Sequence, residues 1–198
     1  AVAAIEVGFR QRELLQQDAE RAPFTVEFVE DPRVIDVGGV QTRIVLDRVD
    51  RLADGTFAVI DYKTGASARP AAWMGERPEL PQLPLYVRAI GQEQVSAVAF
   101  GVVCTGSTEY RGFARDGKVF PQLKPFDAAS APFKDYASWG DLLQAWNRRL
   151  ESLAREHAQG DARLAPNPAR ACRYCHLRGV CRSAQALMEP EEGDDAAG

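Results

Sequence analysis

Residues 40–63 read VQTRIVLDRVDRLADGTFAVIDYK, and this stretch decides the fold. Val40–Leu52 and Phe57–Lys63 are rich in β-branched and other apolar residues, which predicts two strands. Between them, Ala53-Asp54-Gly55 suits a three-residue hairpin loop, because its glycine readily adopts a positive φ. The stretch therefore predicts an antiparallel hairpin at the centre of a sheet.

The closing pair of this hairpin sets which side chains face each other. With Leu52 opposite Thr56, the register places Asp47 directly opposite Asp61. Directly opposed residues share a face of the sheet, with Cβ atoms about 5 Å apart. Two carboxylates at that distance need either a cation between them or a raised pKa on one of them. Because side chains alternate along a strand, Lys63 shares the face of Asp61, and the set predicts a divalent-metal site beside an ammonium group.

Phosphodiester hydrolysis is the chemistry that suits this set. Mg²⁺ and Mn²⁺ prefer oxygen ligands, so Asp47 and Asp61 are the expected ligands. A bound metal polarises a phosphate and lowers the pKa of a water, and Lys63 would stabilise the developing charge or orient that water. The simpler interpretation is a surface ion pair between Asp61 and Lys63, since the tripeptide D-x-K is common.

Composition excludes several classes of protein. The chain has 198 residues, 45% of them apolar, which suits one domain with a small appendage. No apolar run is long enough to span a membrane and no secretory signal is recognisable, so we expect a cytoplasmic protein without a membrane partner. The net charge of −4 comes from the tail, where five of the last ten residues are acidic, so residues 187–198 are expected to be disordered. The late cluster of arginines is compatible with phosphate contacts.

The rest of the chain predicts a mixed central sheet flanked by helices, of the α/β class. A strand is expected over Phe24–Glu30, ended by Asp31-Pro32, and a buried strand over Val95–Cys104. Residues 115–137 read as irregular. Helices are expected over Pro81–Ile90 and from Trp139 to about His157.

Gln82 and Tyr86 lie four residues apart on the first of these helices and so share a face. An amide and a phenol side by side could contact a DNA backbone or hold Lys63. The alternative is a polar residue at a helix N-terminus followed by an ordinary half-buried tyrosine.

Three stretches together resemble a known family: LDRVDRLADGTFAVIDYKTG at 46–65, LPQLPLY at 80–86 and CRYCHLRGVCR at 172–182. They are similar to the RecB/AddB-type exonuclease domain of the PD-(D/E)XK nuclease superfamily, the nuclease region of bacterial helicase–nuclease DNA repair proteins. The likeness extends over about residues 20–182. It implies a restriction-endonuclease-like fold, Mg²⁺ or Mn²⁺ as cofactor, single-stranded DNA ends as substrate and a helicase domain or subunit as partner.

The resemblance also implies roles for individual residues. Asp47, Asp61 and Lys63 match the metal-binding and catalytic positions, and the backbone carbonyl of Tyr62 would be a further metal ligand. Gln82 and Tyr86 match the family's Q-x-x-x-Y element. An upstream acidic ligand is expected from Glu27 or Glu20. Asp50 falls on the face opposite Asp47 and is expected to be structural, paired with an arginine.

Cys172, Cys175 and Cys181 match three cysteines that hold a [4Fe–4S] cluster in this family, together with a fourth far upstream. Here no cysteine precedes Cys104, and the family's upstream histidine motif is absent too. The expectation is that the sequence begins after those elements, so that the cluster is incomplete. A Cys₃His zinc site with His176 and three idle thiols are the alternatives.

The sequence thus predicts a nuclease core at 1–165, a cysteine-bearing segment at 166–186 and an acidic tail at 187–198. The function expected is a metal-dependent DNA nuclease of repair and recombination. One alternative is a non-catalytic DNA-binding or scaffolding domain that retains the nuclease fold. Another is a module whose only ion lies at the cysteines.

Overall fold

A six-stranded mixed sheet runs through the described part of residues 1–159. The computed structural model describes residues 18–19, 21–64, 68–104, 107–118, 120–161, 163, 172 and 175–181. The strands lie side by side in sequence order: β1 (Phe24–Val37), β2 (Val40–Leu52), β3 (Phe57–Lys63), β4 (Val95–Cys104), β5 (Ser107–Ala114) and β6 (Lys124–Pro125). Neighbouring strands are antiparallel except for β3–β4 and β5–β6, which are parallel. The predicted α/β class with a mixed sheet is confirmed.

The hairpin of β2 and β3 has the predicted register. The Leu52 N–H donates to the Thr56 carbonyl at 2.8 Å, and the Gly55 N–H donates to the Leu52 carbonyl at 2.9 Å. Gly55 has the expected positive φ, 82°. Backbone pairing extends from the loop to the pair of Arg48 and Ile60. Both strand boundaries agree with those expected from the sequence.

Strand β1 continues through Asp31-Pro32, so the break predicted there is wrong. β1 is the edge strand, and a proline is tolerated at an edge because its missing N–H can face outward. The irregularities lie earlier in the strand: the register shifts between Val26 and Phe28, and Glu30 has a φ of 48°. β1 and β2 consequently form one long antiparallel hairpin, paired from Val37 and Val40 to Phe24 and Leu52.

Two main helices, α1 (Gln82–Ile90) and α2 (Trp139–Ala158), agree with the predicted ones to within about a residue at each end. Their apolar side chains share one buried cluster with side chains of β3 and β4. Ser138 caps α2 by accepting the Asp141 N–H at 3.1 Å. The indole of Trp139 donates to the Val95 carbonyl at 2.7 Å, which fixes the start of α2 to the start of β4.

The central strands β3 and β4 are buried on both faces. Val59 and Val98 lie in the cluster under the helices, whereas Ile60 and Ala99 lie in a second buried cluster on the other face. Burial on both sides explains why β3 and β4 read as nearly continuous apolar runs. The strand β6 lies in a segment that the sequence predicts to be irregular, and its two residues pair with the end of β5.

The chain forms two compact units, Ala1–Gln159 and Gly160–Gly198. The described part of the second unit includes one short helix, α3 (Arg178–Cys181). The predicted boundaries near residues 165 and 186 stay predictions, and the acidic tail at 187–198 lies outside the described residues. Within the described part of the chain, no helix has the length and apolarity needed to span a membrane.

Candidate active site

Three neighbouring elements bring five of the predicted site residues together. Strand β2 supplies Asp47, strand β3 supplies Asp61 and Lys63, and the first turns of α1 supply Gln82 and Tyr86. Asp61 and Lys63 share a face because they are two apart on a strand, and the two α1 residues share a face because they are four apart on a helix. The contacts among these residues define the site.

Asp47 is held by one donor from each neighbouring element. The Tyr62 N–H on β3 donates to Asp47 Oδ2 at 2.8 Å, and the Tyr86 hydroxyl on α1 donates to Asp47 Oδ1 at 3.1 Å. A carboxylate oxygen has two lone-pair positions, so each oxygen retains one after these bonds. The carboxylate of Asp47 is thereby oriented without being saturated.

Asp61 is completely buried, with 0% of its surface exposed. Lys63 Nζ lies 2.6 Å from Asp61 Oδ2 as an ion pair. Neither Asp61 oxygen accepts a geometrically sound hydrogen bond from the residues that the structure describes. Burial raises the pKa of Asp61 from 3.8 to about 6; the Lys63 ammonium opposes this rise, and the Asp47 carboxylate adds to it. Asp61 therefore has lone pairs free to bind a further donor or cation, and its burial makes an uncompensated negative charge energetically unfavourable.

The ammonium of Lys63 is held from two sides. It donates to Gln82 Oε1 at 2.5 Å and pairs with Asp61. Its side chain remains 22% exposed, and the ring of Phe100 lies below it, 5.9 Å from Nζ. Lys63 thus presents an oriented positive charge that an incoming anionic group can reach.

Tyr86 serves as a hydrogen-bond donor in this site. Burial is the largest cause of the rise in its pKa, and the negative charges of Asp47, Asp61 and Glu30 add to it. The phenol therefore stays protonated and keeps donating to Asp47 throughout the physiological pH range.

Glu30 is an acidic residue near this site that the sequence analysis did not select. Val29 pairs with Arg48 and Asp31 pairs with Leu46, so Glu30 falls opposite Asp47 on the edge strand. Its side chain is exposed. The sequence analysis missed this pairing because it ended the strand at Asp31-Pro32. The register of β1 against β2 can be counted only if the strand continues past that point.

Glu27, the predicted upstream ligand, is not brought to the carboxylate pair. It forms a two-fold ion pair with Arg51, with distances of 2.8 and 3.0 Å, and this bond lowers the pKa of Glu27. Arg51 lies four residues beyond Asp47 along β2, about 13 Å away at the usual rise of a strand. Glu20 lies outside the described residues, and the metal-binding role of the Tyr62 carbonyl stays a prediction.

Asp50 lies on the opposite face of the sheet, as predicted, and its pairing with an arginine is confirmed. Arg48 donates to both of its oxygens, at 2.7 and 2.9 Å, and Arg21 donates to Oδ2 at 2.7 Å. Asp50 is fully buried in this network. Its carboxylate is saturated with donors, unlike that of Asp61.

A divalent cation fits the donors on the Asp47 face. Mg²⁺ commonly binds through one or two carboxylates and keeps several waters. Asp47 and Asp61 supply the two carboxylates, and the lone pairs left on their oxygens suit a hard cation. Across the described residues there is no group of three or more His, Cys, Asp or Glu that could hold a metal ion. The site that these residues form would therefore hold a divalent cation through two carboxylates.

The cysteine segment does not fit a complete cluster. The Cys175 N–H donates to the Cys172 carbonyl at 3.3 Å, and the Leu177 N–H donates to Cys175 Sγ at 3.4 Å. A [4Fe–4S] cluster needs four ligands, and with Cys181 this segment provides three. The remaining cysteine, Cys104, belongs to β4 in the other compact unit.

Comparison with known proteins gives one informative match. The family model described as "PD-(D/E)XK nuclease superfamily" matches residues 3–182. No curated protein matches the sequence. One similar solved structure, described as "Crystal structure of SSO0001", is 14% identical; the alignment covers 90% of this chain and 68% of that chain, with a TM-score of 0.40. The family of this chain is therefore shown by the family model alone.

Proposed function

This chain belongs to the PD-(D/E)XK nuclease superfamily, and we propose that it is a Mg²⁺- or Mn²⁺-dependent deoxyribonuclease that digests single-stranded DNA from its ends. One observation carries the proposal: the buried carboxylate of Asp61, paired with Lys63 and lying beside Asp47, accepts no well-aligned hydrogen bond from the described residues. A buried acid of this kind becomes a stable anion when a cation joins it.

Each residue of the site has a distinct task in this proposal. Asp47 and Asp61 hold the metal ion, which when bound polarises the phosphate and lowers the pKa of a water. Lys63, oriented by Gln82, offers its ammonium to the negative charge that develops on the phosphate oxygens. Tyr86 fixes the carboxylate of Asp47 from α1. Substrate placement and charge stabilisation are thus supplied by side chains that are already in position.

We further propose a role for this nuclease in DNA repair and recombination. The order of the D-R-V-D, D-Y-K, Q-x-x-x-Y and cysteine motifs supports a RecB/AddB-type nuclease that works with a helicase domain or subunit in DNA repair and recombination. A helicase would supply the single-stranded ends. The cytoplasm is the compartment that such a role requires.

A cleavage assay tests the proposal. End-labelled single-stranded and duplex DNA would be incubated with the protein and Mg²⁺, Mn²⁺ or EDTA. We expect shortening of the single strand with either metal and none with EDTA. Lys63→Ala and Asp61→Asn should each reduce the rate at least about a hundredfold. Lys134→Ala, which changes an exposed lysine on the short helical turn Phe133–Asp135, serves as the matched control and should cleave at the wild-type rate.

Two results would contradict the proposal. Equal rates for Lys63→Ala, Asp61→Asn and the wild type would remove these residues from catalysis. Binding of single-stranded DNA without cleavage under any metal would favour the non-catalytic DNA-binding domain instead.

A further inference from the structure

The two acidic residues of the site are attached to the sheet in different ways. Strand β3 is paired with β4 along its whole length, up to Lys63 and Val102, so Asp61 lies on a strand supported from that side. Between β2 and β3, two fully described strands, backbone pairing ends at Arg48 and Ile60, one residue before Asp47. The separation of the two carboxylates therefore depends on side-chain bonds beyond the end of the ladder.

On the opposite face of the sheet, one such bond joins the same two strands. The Arg48 guanidinium donates to the Tyr62 hydroxyl at 3.1 Å. Arg48 is the neighbour of Asp47 in the chain, and Tyr62 is the neighbour of Asp61. Because Arg48 lies opposite Ile60, Tyr62 is its diagonal partner on the face away from the carboxylates. A bond between Arg48 and Tyr62 therefore constrains the backbone on either side, at Asp47 and at Asp61.

The arginine side of this bond is rigid. Asp50 accepts two hydrogen bonds from Arg48, and Asp18 accepts a third at 2.9 Å. Asp18 also accepts the Tyr110 hydroxyl at 2.9 Å. Burial disfavours the charged form of Arg48, but the bond with Asp50 outweighs it and keeps the pKa of Arg48 above its usual range. A buried, fully charged network of this kind holds one geometry.

The tyrosine side is held by shape. Tyr62 lies beside Gly101 in the parallel pair of β3 and β4. A Cβ added to Gly101 would lie 2.7 Å from Tyr62 Cδ1 and 2.8 Å from Cε1, so the ring lies directly on the glycine backbone. The hydroxyl is thereby directed to Arg48 even though 37% of the residue is exposed.

We propose that Arg48 and Tyr62 form a brace that sets the spacing of Asp47 and Asp61 from the opposite face of the sheet, making both positioning residues for the metal site. The proposal rests on the proposed function. Two carboxylates that face each other repel until a cation arrives, and the brace resists their separation. A site whose ligands are held in place in advance binds its ion more tightly, since less ordering is needed on binding.

Tyr62→Phe tests the brace, because it keeps the ring on Gly101 and removes only the hydroxyl that accepts from Arg48. Mn²⁺ affinity would be measured on the DNA-free protein by the electron paramagnetic resonance signal of unbound Mn²⁺. Outer-shell partners typically contribute 10- to 100-fold to metal affinity, so we expect binding about tenfold weaker than wild type. The KM for single-stranded DNA should not change, because the hydroxyl lies on the other face.

Two further variants separate positioning from general stability. Tyr136→Phe removes a hydroxyl elsewhere on the molecule and should bind Mn²⁺ like the wild type. Gly101→Ala displaces the Tyr62 ring and should weaken Mn²⁺ binding by a similar factor. The double variant Tyr62→Phe/Gly101→Ala should bind Mn²⁺ little more weakly than either single variant, because both changes remove the same bond. A purely structural role for Tyr62 would lower the unfolding temperature and leave Mn²⁺ affinity unchanged.

The outcomes are distinguishable. Wild-type Mn²⁺ affinity in Tyr62→Phe would overturn the brace and leave the proposed nuclease intact. Absence of Mn²⁺ binding in the wild type would overturn both. Weaker binding in Tyr62→Phe with an unchanged KM would support the brace.

Discussion

Asp61 Oδ2 lies 2.6 Å from Lys63 Nζ, and yet burial raises the pKa of Asp61 to about 6. The ammonium lowers that pKa, but desolvation and the Asp47 carboxylate together outweigh it. The site is therefore short of positive charge before a metal binds.

Metal binding should depend on pH with a midpoint near 6. A proton on Asp61 competes with the cation, so apparent Mn²⁺ affinity should fall about tenfold per pH unit below pH 6 and level off above pH 7. Calorimetric titration of Mn²⁺ between pH 5 and 8 measures this. Affinity that stays constant between pH 5 and 7 would show that Asp61 is not the titrating ligand.

Asp61→Asn should stabilise the metal-free protein at neutral pH. The folded-state pKa of Asp61 lies above the ordinary value of 3.8, so the folded state binds its proton more tightly than the unfolded state does. The resulting contribution to the free energy of unfolding is complete below about pH 4 and is lost as pH rises to about 6. At about 1.4 kcal/mol per pKa unit, the loss is roughly 3 kcal/mol. The difference in unfolding free energy between Asp61→Asn and wild type should grow in favour of the variant by roughly that amount from pH 4 to 7.

The same pair of proteins provides a control. Saturating Mn²⁺ should stabilise the wild type and leave Asp61→Asn unchanged, because a ligand stabilises only the state that binds it. Equal stabilisation of both proteins by Mn²⁺ would mean that the ion binds elsewhere.

Tyr86→Phe and Gln82→Ala should have separable effects. Tyr86 donates to Asp47, so losing its hydroxyl should weaken Mn²⁺ binding by about tenfold. Gln82 contacts Lys63, so its loss should lower kcat while Mn²⁺ affinity stays the same. Mn²⁺ titration and steady-state kinetics of both variants measure the split. Identical effects of the two changes would argue against separate roles.

Gly112→Ala should destabilise the sheet strongly. A Cβ at Gly112 would lie 2.0 Å from the Val98 carbonyl oxygen and 2.7 Å from Ala99 Cα, both of them backbone atoms of β4. The strands would have to separate, so we expect a loss of about 3 kcal/mol or more in unfolding free energy. Gly117→Ala, where no described residue beyond the two chain neighbours has an atom within 4 Å of the added carbon, should stay within about 0.5 kcal/mol of wild type in chemical denaturation. Similar stability of the two variants would contradict this packing.

The hairpin of β2 and β3 could be predicted because residues close together in the sequence determine its turn and its register. A three-residue loop with Gly55 fixes the closing pair, and the closing pair fixes every pair beyond it up to Arg48 and Ile60. The helices α1 and α2 could be predicted for the same reason, since their boundaries depend on nearby residues such as Ser138.

Features that depend on tertiary position could not be read from the sequence. Asp31-Pro32 reads as a break, and only the place of β1 at the edge of the sheet allows the strand to continue. The closeness of Glu30 to the site follows from that continuation. The contact of Arg48 with Tyr62 depends on the diagonal relation between two strands and on the space left by Gly101, a glycine about forty residues further along the chain.

If Asp47 and Asp61 together hold one divalent cation, anomalous diffraction from a crystal soaked in Mn²⁺ should locate it between them. We expect a peak within coordination distance of a carboxylate oxygen from each residue, and loss of that peak in Asp61→Asn. A Mn²⁺ peak bound only at other residues, or the same peak persisting in Asp61→Asn, would contradict binding of the cation by both residues.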